Sequence, residues 1–128
     1  MAEGGTSRPG GTGSSLVISK IEGVTVVEFH DSAMLDGPAV ESIASDLYAL
    51  VDERAVRKLL LDFRRVQFLS SRMIGVLTEL HKRSQAIKGK VVVCGLRPNL
   101  HKVFHMMRLD KVLRFAPDAR EAMHELAP

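Results

Sequence analysis

An α/β fold, a mixed and mostly parallel sheet packed with helices, is what the sequence predicts, and three observations carry the prediction. Short β-branched or leucine-rich runs bounded by charges or turn residues recur along the chain: LVISKIEG, VTVVEFH, KLLLDF and KVVVC. Between them, apolar residues return at helical spacing instead. Strands that alternate with helices in this way pair in parallel, because each helix carries the chain back over the sheet before the next strand begins.

The elements follow in order. LVISKIEG and VTVVEFH meet at Glu22 and Gly23, the residue chemistry of a tight hairpin, so the first two strands are expected to run antiparallel. The segment HDSAMLDGP reads as a turn, and Pro38 suits the first turn of a helix. Val40, Ile43, Leu47, Leu50 and Val51 then form one apolar stripe to about Glu53. KLLLDF at 58–63 is a continuous apolar run between charges, the mark of a strand covered on both faces and therefore central. RRVQFLSS reads as a connection to a second helix, striped by Ile74, Leu77, Leu80 and Ile87 and ended by Gly89. KVVVC repeats the buried-strand pattern, and Gly95 to Pro98 lead into a helix with Leu100, Val103, Phe104 and Met107 on one side. A short strand is expected at 112–115, and Asp118 with Glu121 resembles a capping box for a last helix faced by Ala119, Ala122, Met123 and Leu126.

At 128 residues the chain matches one domain with one ordinary core. Residues 1–15 (MAEGGTSRPGGTGSS) are rich in Gly, Ser and Thr and poor in large apolar side chains, so they are expected to form a disordered tail ahead of a folded unit at 16–128. No apolar run nears the roughly 18 to 20 residues of a membrane helix, and the N-terminus lacks the apolar centre of a secretory signal. Cys94 is the single cysteine, so no internal disulfide can form. A cytoplasmic protein without membrane insertion is the expectation. The net charge is +3 with cations and acids interspersed, and the chain has no Trp, one Tyr and five Phe, which argues against nucleic acid as a partner.

The most informative stretch runs Val66-Gln67-Phe68-Leu69-Ser70-Ser71-Arg72-Met73-Ile74-Gly75-Val76-Leu77, between the central strand and the second helix. A serine at a helix start accepts a hydrogen bond from an otherwise unpaired backbone N–H, so Ser70 or Ser71 has a structural role available as the cap. The pattern hydrophobic-x-Phe-Leu-x-Ser-x-x-Ile-Gly-Val-Leu between strand and helix also resembles the signature of STAS domains, a family of anti-sigma-factor antagonists, stressosome scaffold proteins and sulfate-transporter tails. The resemblance extends from Leu16 to about Leu126 and implies a single STAS-like domain. In the antagonists this loop reads Asp-Ser-Ser-Gly-Leu-Gly, and its first serine is phosphorylated by an anti-sigma factor that is itself a serine kinase. The resemblance places that serine at Ser71. Ser70 stands at the acid's position, Arg72 and Met73 replace the next two residues, and Ile74 and Gly75 match.

The resemblance therefore implies a phosphorylation-controlled protein-binding switch. Ser71 would be the phosphoacceptor, and Ser70, Ser71, Arg72 and Met73 the partner-binding segment. The partners would be an anti-sigma factor or related serine kinase and a phosphatase, with association into homo-oligomers left open. Two rival readings stand beside it: a non-phosphorylated scaffold in a stressosome-like or transport complex, supported by the loss of the acid at Ser70, and a small-ligand or catalytic α/β domain.

Other chemistries find weaker support. His101 and His105 are four apart on a helix, a spacing that can hold a metal, but no Glu follows the first and no third ligand is evident, so surface histidines and no metal are expected. Cys94 at the end of a buried strand reads as a small apolar residue. Gly10, Gly11 and Gly13 follow no strand and precede no Gly-Lys-Ser/Thr, which rejects a phosphate loop. Asp31, Asp36 and Asp62 stand near element ends, yet no motif sets a His, Ser or Cys beside them. Neither an enzyme nor a cofactor is expected.

Overall fold

The computed structural model describes residues 16–29, 34–35 and 38–126; the tail expected at 1–15, Asp31 and Asp36 lie outside the described residues. β1 (Leu16–Ile21) and β2 (Val24–Phe29) form the antiparallel hairpin. Glu22 and Gly23 turn it with φ of 50° and 83°, the left-handed pair that matches a two-residue turn to the twist of its strands. A two-residue strand follows, β3 (Met34–Leu35), within the segment that the sequence shows only as a turn. The chain continues through α1 (Pro38–Asp52), β4 (Lys58–Asp62), a second two-residue strand β5 (Phe68–Leu69), α2 (Ser71–Ala86) and β6 (Lys90–Cys94). It closes with α3 (Pro98–Met106), a single 3₁₀ turn at Leu109–Lys111, β7 (Arg114–Ala116) and α4 (Ala119–Leu126).

The main sheet has five strands in the order β1-β2-β4-β6-β7, with every pairing parallel except the hairpin. KLLLD and KVVVC therefore lie at the centre, as their unbroken apolar runs require. Alternation along β4 splits the core in two. Leu59 and Leu61 join Val27, Phe29, Val91 and Val93 beneath α1, α2 and α3, whereas Leu60 turns to the other face with Val24, Val26, Val92 and Cys94 beneath α4. The first layer is the larger and includes the edge-to-face pairs Phe29–Phe63 and Phe63–Phe104.

Two boundaries differ from the sequence reading, and Met107, expected on the apolar side of the third helix, lies just past the end of α3 and is exposed. The last strand is Arg114–Ala116, shifted from the expected 112–115, because Leu109 and Leu113 are drawn into the core and wind the intervening residues into the 3₁₀ turn. α2 ends at Ala86, before Gly89, with Lys88 left-handed at φ 59°. Gly89 is needed for space: a Cβ there would lie 2.7 Å from Ser84 Oγ and 2.8 Å from the Arg57 carbonyl oxygen. The Asp118 cap forms as read, its carboxylate accepting from the Glu121 N–H at 2.9 Å. No helix of the described residues is long and apolar enough to cross a membrane.

Candidate functional site

The site lies where the chain leaves the C-terminal end of β4 and enters α2. β5 pairs in parallel with β3, and Asn99 in the first turn of α3 donates to the Gln67 carbonyl at 3.0 Å, so the connection is pinned on two sides before the helix begins. At the strand end, Asp62 is buried and accepts from the Arg64 backbone N–H at 3.0 Å and from its guanidinium at 3.0 and 3.1 Å. That explains Asp62 as half of a local ion pair whose stem packs where Gly95, at φ 73°, leaves room; a Cβ on Gly95 would sit 2.5 Å from Arg64 Cγ.

The two serines divide the work at the helix start. Ser70 is the cap: its backbone is extended (φ −81°, ψ 164°), and its hydroxyl accepts from the Met73 N–H at 3.1 Å. Ser71 is the first helical residue, is exposed, and its hydroxyl bonds to no described residue. The sequence left the cap open between them; tertiary geometry assigns it to Ser70 and leaves Ser71 unengaged.

The next two residues point opposite ways. Arg72 is exposed and donates to both carboxylate oxygens of Glu41 on α1, Nε to Oε2 at 2.6 Å and Nη2 to Oε1 at 2.8 Å. The hydrogen bond from Arg72 holds the Glu41 carboxyl below its usual range. Met73, grouped with them from sequence, is wholly buried and contributes to the core rather than to a surface. Gly75, one turn beyond Ser71, is exposed, and a Cβ built on it would meet nothing within 4 Å. Helix-interior glycine is unfavourable by roughly 0.5–1 kcal/mol relative to alanine, and no packing requires it here. Sequence matching noted Gly75 without giving it a role; an unpacked glycine in a helix was the signal. Ser71 and Gly75 thus form a small, side-chain-poor face at the N-terminus of α2, flanked by the Arg72–Glu41 pair.

The remaining candidates lie apart from this face. Cys94 is fully buried, and burial pushes its thiol up to about 12. His101 and His105 are both exposed on α3; the His101 ring approaches Phe115 at 6.2 Å, and His105 Nδ1 bonds Asp110 Oδ2 at 2.9 Å.

The model of the STAS domain matches residues 15–122. BtrV of Bordetella bronchiseptica, designated an anti-sigma factor antagonist, is 26% identical over 107 residues, which cover 84% of this chain and 89% of that protein. An anti-sigma-factor antagonist (STAS) domain protein from Planctomyces limnophilus superposes with a TM-score of 0.79 at 27% identity, covering 88% of this chain and 97% of that one. The Bacillus cell fate determinant SpoIIAA, solved in its phosphorylated form, shares the fold with a TM-score of 0.68 at 21% identity, over 88% of this chain and 99% of that one. With the family model spanning the described fold from its first strand into its last helix, the chain belongs to the STAS domain family.

Proposed function

We propose that this protein is a phosphorylation-controlled binding switch of the anti-sigma-factor-antagonist kind, cytoplasmic and without enzymatic activity of its own. It docks on a serine-kinase anti-sigma factor through the start of α2, is modified by that kinase at Ser71, and is reset by a phosphatase. The observation that carries the reading is the division between the serines: Ser70 performs the capping, so the Ser71 hydroxyl is exposed and free of described partners at a rigidly presented helix start.

Two physical arguments support it. The backbone N–H groups of the first helical turn and the positive end of the α2 dipole favour an anion, so a phosphate on Ser71 is tolerated in the free protein. The Arg72–Glu41 pair is exposed, and exposed pairs contribute little, so Arg72 can leave Glu41 for the phosphate at small cost. At an interface, the same phosphate puts roughly −1.5 to −2 charges on a surface that must shed water. A coupling of about 2 to 3 kcal/mol weakens binding by roughly 30- to 150-fold, enough to switch a complex.

Incubation with the cognate kinase and ATP, read by mass spectrometry, is the test. Phosphate on Ser71 is expected. Ser71→Asp should fold normally and bind the kinase weakly, while Ser71→Ala should fold and bind yet resist modification. Phosphate on Ser70 alone, or on neither serine, overturns the assignment, and phosphate on neither favours the non-phosphorylated scaffold.

A further inference from the structure

A second feature lies at the opposite pole of the sheet. α2 has 16 residues and so runs about 24 Å from Ser71 back to the N-terminal ends of the parallel strands. There, a cavity of about 650 Å³ opens among the β1–β2 turn, the α1–β4 and α2–β6 connections and the end of α4. Its lining carries six cations: Lys20, Arg54, Arg57, Lys58, Lys88 and Lys90. Among the described residues the lining contains no carboxylate, and none of the six forms an ion pair with a described residue. In a chain whose net charge is only +3, this is a marked local segregation of charge.

Capping explains a part of it. α1 and α2 both end beside the cavity, and Arg57 Nε donates to the Ile87 carbonyl at 3.1 Å, as cations at helix C-termini commonly do. With the end of α4 at Leu126, three helix ends present roughly one and a half negative charges in total, about half a charge each, against six positive ones. Most of the charge therefore remains for a ligand. The size falls within the roughly 300–1,000 Å³ of small-molecule sites, which favours a compact anion over an extended polymer. Among the described residues the lining also has no aromatic ring to stack a nucleobase. The backbone N–H groups of Arg54, Val56, Lys88 and Gly89 are already spent on carbonyls of α1 and α2, which leaves recognition to side chains.

We propose that this cavity binds linked phosphates, as in inorganic polyphosphate or the triphosphate of a nucleotide, by charge alone and without reading a base. Isothermal titration of the full chain with sodium tripolyphosphate, with ATP and with a short single-stranded RNA separates the sources. Tripolyphosphate should bind, and ATP should match it within about threefold, since an unstacked base adds little. Lys88→Gln combined with Lys90→Gln should weaken tripolyphosphate at least tenfold without changing the melting temperature, whereas Lys102→Gln, outside the cavity, should leave binding unchanged. Absence of tripolyphosphate binding overturns the proposal. So does an equal loss with Lys102→Gln, which would reveal diffuse charge instead of a site. A preference of more than tenfold for ATP or for the RNA also overturns it, by showing that bases or an extended polymer are read. Phosphorylation of Ser71 forms no part of these measurements, so the proposal stands or falls apart from the switch.

Discussion

At the scale of the residue, Ser70 and Ser71 show how one backbone position separates a structural hydroxyl from an available one. Ser70→Ala removes the acceptor for the Met73 N–H and should cost about 1 kcal/mol in urea unfolding, the usual value of a lost helix cap. Ser71→Ala should be nearly neutral in the same assay; an equal cost would mean that both hydroxyls cap the helix. Cys94 makes a second residue-scale prediction. Its thiol is pushed up from 9.0 to about 12, mainly by burial, so the folded state favours the neutral form more than the unfolded state does. The stabilisation is complete below pH 9.0 and is lost progressively as pH rises toward 12, where the unfolded chain ionises first. Native protein at pH 8 should accordingly resist a disulfide-exchange reagent until denaturant is added, and unfolding curves above pH 9 should shift to lower denaturant. Rapid native labelling would contradict the buried placement of this thiol.

At the scale of the element, α2 combines a buried stripe of Met73, Val76, Leu77 and Leu80 with an outer face that is bare near its start. Farther along, the helix is tied to α1 by Arg83, which pairs with Asp52 and Glu79 and lies 4.0 Å over the Tyr48 ring. The buried stripe holds the helix in place, so its first turn is presented by a packed element and not by a loop. Gly75 interrupts this economy, because it weakens the helix without relieving any clash. Gly75→Ala should raise stability by roughly 0.5–1 kcal/mol, read as an upward shift of the denaturant midpoint. A bulkier exchange such as Gly75→Gln should keep the fold and weaken kinase binding, measured by titration, if the bare face is where the partner approaches closely. Unchanged binding by Gly75→Gln would confine the interface to Ser71 and Arg72.

At the scale of the whole molecule, one sheet separates two poles with different chemistry. The C-terminal ends of the parallel strands lead to Ser71, while their N-terminal ends gather the six cations around Lys90. Among the described residues, α4 covers one face of that sheet, over Val24, Val26, Leu60 and Val92, and three helices cover the other. We propose that residues 1–15 lie outside this folding unit, because they carry almost no large apolar side chains to bury. Their deletion should leave the melting temperature nearly unchanged; a fall of several degrees would show that the segment packs against the domain.

The sequence by itself determined the order of the long elements, since unbroken apolar runs and helical stripes can be read without knowing what they pack against. It also located the Ser70–Ser71 segment, because the motif is local. β3 and β5 were not legible: a two-residue strand has too few residues to show a period, and only the pairing of distant segments creates it. The offset of β7 was hidden for a similar reason, as the pull of Leu109 and Leu113 into the core appears only once that core exists. Tertiary structure alone decided which serine caps α2, that Met73 turns inward, and that Arg72 reaches Glu41 on another helix 31 positions away in sequence. It also drew six cations from three separate stretches of chain into one cavity. Local pattern reports what each segment prefers, whereas side-chain direction and long-range proximity arise only from the packing of segments against one another.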